Sequence, residues 1–122
     1  MGDSAGGGLA FAAVHKLRDE GFALPGAVVA LSPWTDLALT GPSLQSNADG
    51  LPPALIQVGS DEILRDDAVR MAEKLKIAGC DIEIEVWPRM PHVWQLYARI
   101  VPEGRDAIEH IGYVPASQTL AR

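Results

Sequence analysis

The pentapeptide Gly2-Asp3-Ser4-Ala5-Gly6, with an apolar helical pattern starting at once behind it, permits few local folds. A serine with glycine two residues to either side, at the start of a helix, suits a strand-to-helix turn too tight for larger side chains. Such a turn strains the serine backbone and lifts its hydroxyl clear of the sheet. The next N–H, here that of Ala5, faces the same space, and the first helical amides add a positive field. Ser4 is therefore the candidate nucleophile, and Ala5 N–H the candidate donor to a developing oxyanion. Only Met1 precedes the pentapeptide in this sequence, so the strand that such a turn requires is not legible.

Downstream, two hydrophobic periods alternate. Leu9, Phe11, Ala12, Ala13, Val14 and Leu17 predict a helix from Ala5 to Glu20, which Gly21 stops. His15 falls within it as a surface or packing residue. Ala27 to Leu31 is an unbroken apolar run, the mark of a parallel strand buried on both faces. Ser32-Pro33-Trp34-Thr35-Asp36 leaves its carboxyl end, the functional edge of an open α/β sheet. A polar connector from Thr40 to Pro53 follows, broken by Gly41-Pro42, Asp49-Gly50 and Pro52-Pro53. Ala54 to Val58 predicts a second strand. Asp66 and Asp67 suit a helix N-terminus, and Ala68, Met71, Ala72, Leu75 and Ala78 form the stripe of that helix, with Gly79 as its stop. Ile82 to Trp87 alternates apolar and acidic residues, as a strand at or near a sheet edge does. A rigid loop, Pro88 to His92, leads to a short helix through Trp94, Leu96 and Tyr97. A last helix spans Pro102 to Val114, with Ala107, Ile108 and Ile111 buried, before a polar tail. The chain reads as one α/β domain, with about three parallel strands flanked by helices.

Composition narrows the chemistry. A chain of 122 residues with 48% apolar and 21% charged content can bury a core. Its net charge of −6 and lack of Lys or Arg clusters disfavour nucleic acid and anionic membranes as partners. Cys80 is the only cysteine and reads as a small buried apolar residue, which excludes an intrachain disulfide and a cysteine metal cluster. No membrane span or signal peptide is legible, so a cytoplasmic location is the default expectation. Gly6-Gly7-Gly8 lacks both a Gly-x-Gly-x-x-Gly pattern and a P-loop lysine, which argues against nucleotide binding.

Three polar residues then stand in the order Ser4, Asp61, His92, each at the carboxyl side of a strand or expected strand. Serine, acid and histidine in that order match one of the known arrangements of nucleophile, orienting acid and general base. Competing residues have simpler uses. Asp66 and Asp67 cap a helix, Asp36 comes too early, and His110 is helical and near the chain end.

These segments resemble the hormone-sensitive-lipase-like esterases, a group of α/β-hydrolases, and specifically their C-terminal half. Gly2-Asp3-Ser4-Ala5-Gly6-Gly7 is similar to the nucleophile motif of that group, and Ser32-Pro33-Trp34-Thr35-Asp36 to the segment after its sixth strand. Gly59-Ser60-Asp61-Glu62-Ile63-Leu64-Arg65-Asp66-Asp67-Ala68 is similar to the acid-bearing loop, and Met90-Pro91-His92-Val93-Trp94-Gln95 to the histidine loop. The resemblance implies a catalytic triad of Ser4, Asp61 and His92 and a partial α/β-hydrolase fold whose first strands and cap are missing. It also implies that residues 40–53 are a shortened connector where relatives carry cap or pocket helices. The expected activity is hydrolysis of short acyl esters through an acyl-enzyme, with no cofactor or metal. Trp34, Trp94 and Tyr97 are the expected substrate-pocket aromatics, and the apolar strand Ala27–Leu31 is an unpaired edge open to self-association. The alternative is an incompetent fragment, or half of a split hydrolase, that keeps the triad residues.

Overall fold

The computed structural model describes residues 1–34 and 51–121, with side chains to residue 112; the connector's residues 40–50 and Asp36 lie outside that set. In chain order the elements are β1 (Gly2–Asp3), α1 (Ala5–Asp19), β2 (Val28–Leu31), β3 (Ala54–Gly59), α2 (Arg65–Ile77), β4 (Ile82–Trp87), a 3-10 turn (Trp94–Tyr97) and α3 (Pro102–Ala121). The four strands form one parallel sheet in the order β1-β2-β3-β4.

Two features depart from the sequence reading. A fourth strand exists, only two residues long, which pairs Gly2 with Ala30 and Asp3 with Leu31. It is too short to leave a hydrophobic period, and it pairs with the Ala30–Leu31 part of the β2 edge that was expected to be unpaired. At the other end α3 continues through Pro115 to Ala121. A proline removes one amide donor from a helix without obliging it to stop.

Every residue of β2 and β3 is buried, because helices cover both sheet faces. On one face Val28, Ala30, Ala54, Ile56 and Val58 meet Phe11 and Val14 of α1 and Ala68, Met71 and Leu75 of α2. His15 also lies inside this layer, where burial lowers its pKa and Nδ1 bonds the Phe11 carbonyl oxygen at 2.8 Å; it is a packing residue. On the other face Val29, Leu31 and Leu55 pack with Val93 and Ile111. Cys80 is buried, and burial pushes its thiol up to about 11, so it is inert at neutral pH. Among the described residues no helix is long and apolar enough to cross a membrane.

Polar groups tie α3 to the second face. The buried Gln57 amide donates to Ala107 O and Glu85 Oε1, each at 2.9 Å, and its oxygen accepts from Gln95 Nε2 at 2.9 Å. His110 Nδ1 lies 2.8 Å from Glu85 Oε2. Burial opposes ionisation of Glu85, but hydrogen bonds from His110, Trp87 and Gln57 together hold its carboxyl below the usual glutamate value. The hydrogen bond to Glu85 raises His110 above the usual histidine value, against the opposing effect of burial.

A raised histidine stabilises the fold below its ordinary pKa and loses that contribution as pH climbs through the raised value. A lowered glutamate contributes above its ordinary pKa and loses that as pH falls through the lowered one. Both contributions are therefore present between the ordinary values of 4.5 and 6.5. His110→Ala is expected to cost up to about 1 kcal/mol at about pH 5.5, the ceiling for a half-exposed pair, and clearly less at about pH 9. Urea titrations at both pH values check this; equal losses would remove the ion pair from the account.

Candidate active site

Because the strands are parallel and adjacent, their carboxyl ends share one rim, and Ser4, Ser32, Glu62 and His92 all lie beyond those ends. At β1 the expected tight turn is present. Ser4 adopts φ 51°, ψ −122° at the N-cap of α1 and makes no side-chain cap bond, so its hydroxyl is not spent on the helix. Serine in this position ordinarily bonds a helical amide. Backbone bonds fix the turn instead: Ser4 N–H donates to Leu31 O at 2.9 Å, and Ser4 O accepts from Gly7 N at 3.0 Å and Trp34 N at 2.8 Å. A Cβ at Gly2 would fall inside the radius of the Gly6 carbonyl oxygen, which explains the first glycine. At Gly6 the expected collision does not arise, since an added Cβ would come no nearer than 3.9 Å to Asp3 Oδ1. Ala5 is the first residue of α1, and its N–H has no intrahelical acceptor.

The carboxylate beside His92 is not the expected one. The carboxylate brought to His92 belongs to Glu62, with Oε1 at 3.2 Å from Nδ1. The Glu62 side chain is only 2% exposed, and its second oxygen accepts from Gly59 N–H at 2.8 Å and Ser32 Oγ–H at 2.7 Å. Asp61 points elsewhere: it is exposed and accepts from Ser60 Oγ at 3.1 Å. Two adjacent acids in the loop were the available signal, and glutamate, longer by one methylene, is the one that turns inward. With Nδ1 engaged by Glu62, Nε2 is the imidazole nitrogen left to accept a proton.

The family model described as alpha/beta hydrolase fold matches residues 1–49 and 38–96. This chain belongs to that family. Among curated relatives, an acetyl-hydrolase of Streptomyces hygroscopicus is 42% identical over 91% of this chain and 49% of its own length. An esterase of Acinetobacter venetianus is 29% identical over 98% of this chain and 52% of its own. A solved esterase from the bacterial hormone-sensitive lipase family superposes with TM-score 0.84 at 39% identity, covering 96% of this chain and 52% of that one. EstE5 soaked by p-nitrophenyl butyrate gives TM-score 0.85 at 32% identity, with coverages of 96% and 51%. The chain thus spans about half the length of the proteins it matches.

The expected pocket aromatics separate. Trp34 and Tyr97 are 44% and 54% exposed, but Trp94 is fully buried, its indole N–H on Glu103 O at 3.3 Å and its ring 5.8 Å from that of Trp87. A buried tryptophan contributes about 3–5 kcal/mol to folding. Trp94 is a strut beneath the histidine loop, closed to substrate. Among the described residues, a cleft of about 490 Å³ is lined by Asp61, Glu62, Ile63, Leu64, Pro91 and His92.

Proposed function

We propose that this chain carries the nucleophile, base and acid of a serine carboxylester hydrolase acting on short acyl esters. In that reading Ser4 Oγ attacks the acyl carbon while its proton passes to His92 Nε2. The oxyanion draws on Ala5 N–H, the leaving alkoxide takes the proton from His92, and an acyl-serine remains. Water then attacks the acyl carbon as His92 takes its proton; the acid is released and Ser4 is reprotonated. Glu62, in place of Asp61, orients the imidazole and stabilises its cation. The observation that carries this reading is the buried Glu62 carboxylate on His92 Nδ1, on the same rim as an uncommitted, strained Ser4.

Support comes from the names of the relatives, acetyl-hydrolase and esterase, and from the butyrate ester with which EstE5 was soaked. The match to the acetyl-hydrolase runs over 147 residues while using 91% of a 122-residue chain, which favours a connector shortened relative to that protein. Less wall means less enclosure for a long acyl chain.

Two measurements test the reading. A fluorophosphonate should form a covalent adduct on Ser4, found by mass spectrometry of the N-terminal peptide. Across 4-nitrophenyl esters, kcat/KM should be highest between acetyl and hexanoyl. An adduct on another residue removes Ser4 as nucleophile, and an optimum beyond dodecanoyl removes the short-chain preference. A folded chain with neither adduct nor turnover supports the alternative, triad residues without a competent site.

A further inference from the structure

Ser32 leaves β2 in the left-handed region, at φ 46°, while its N–H still donates to Gln57 O at 2.7 Å. Glycine or asparagine enters that region at least cost, and other residues are strained there by about 1–2 kcal/mol. What serine adds is a hydroxyl, here with no exposure to solvent. Its proton goes to Glu62 Oε2 at 2.7 Å, and its lone pair accepts from Val93 N–H at 3.1 Å. Val93 directly follows His92 and is itself left-handed at φ 50°, an uncommon state for a β-branched residue. One buried hydroxyl thus joins the strand end, the acid's loop and the histidine's loop.

We propose that Ser32 is a positioning residue that fixes the Glu62 carboxylate and the His92 loop in mutual register. The proposal rests on the hydrolase reading for its catalytic meaning. Without the hydroxyl, Glu62 Oε2 keeps only Gly59 N–H among the described residues, and the buried Val93 N–H loses the acceptor it has there. The carboxylate is then free to rotate, and its hold on His92 Nδ1–H weakens.

The test uses the full 122-residue chain, 15N-labelled, with Ser32→Ala and Ser32→Gly. Long-range 1H–15N correlation reports the tautomer of the neutral His92 ring, and hydrolysis of 4-nitrophenyl acetate reports kcat and KM. The parent chain should hold the Nδ1–H tautomer, and both variants should show a mixture of tautomers. Their kcat should fall roughly tenfold to a hundredfold, with KM within about twofold, the scale of one hydrogen bond to a charged group. Ser32→Gly relaxes the backbone, so a loss there comes from the hydroxyl and not from strain; it also serves if Ser32→Ala does not fold. An unchanged tautomer in a folded variant overturns the proposal, even if turnover falls. So does failure of both variants to fold, which would make Ser32 a folding residue. A shifted tautomer in a chain without ester turnover upholds Ser32 and rejects the hydrolase reading.

Discussion

Glu62→Gln is expected to lower kcat by roughly three to four orders of magnitude, and Asp61→Asn to leave it within about threefold. The asymmetry follows from the donors around Glu62. Ser32 Oγ–H and Gly59 N–H both point at Oε2, so a glutamine must keep its carbonyl oxygen there. Its amide group would then face His92 Nδ1 and donate to it, which places the ring proton on Nε2. An imidazole protonated at Nε2 cannot take the proton of Ser4. Asp61 is exposed and bonded to Ser60 alone among the described contacts, so its neutral analogue leaves the bond between Glu62 and His92 in place. Steady-state kinetics on 4-nitrophenyl acetate decide the matter. A thousandfold loss in Asp61→Asn beside a nearly intact Glu62→Gln would return the acid to Asp61.

That reassignment marks the limit of what local sequence conveys. The helices and the buried strands were legible because their periods are properties of contiguous residues: Phe11 and Val14 in α1, or the unbroken Val28–Leu31, need no distant partner to be recognised. The strand Gly2–Asp3 has no such period and exists through pairing with residues 28 positions away. The choice between Asp61 and Glu62 is likewise made from outside the loop, by a hydroxyl on β2 and a histidine beyond β4, each 30 residues from Glu62. Chain order and residue type sufficed to find the loop but not the side chain. Trp94 illustrates the converse error. An aromatic beside the histidine suggested a pocket, whereas the helix that buries it, α3, packs there through contacts such as the Glu103 carbonyl that its own neighbourhood does not announce.

Gly59→Ala is expected to cost about 3 kcal/mol or more of stability and to take the site's order with it. Gly59 ends β3 opposite Trp87, and its N–H is one of the donors holding Glu62. A Cβ there would overlap the carbonyl oxygen of Met90 and stand 3.2 Å from Glu62 Oε2. The first neighbour is backbone, so no rotamer change can clear it; the chain at Met90 must move, and Pro91-His92 follows directly. Relief in the other direction pushes the Gly59 strand end away from β4 and weakens its pairing with Trp87. Either response separates the acid from the histidine. Gly26→Ala is the control, since an added Cβ there meets nothing within 4 Å, and its effect should stay within about 0.5 kcal/mol. Urea unfolding of both variants checks the difference. A Gly59→Ala chain as stable as the Gly26→Ala one, with His92 still in its Nδ1–H tautomer, would show that the two loops do not depend on that close approach.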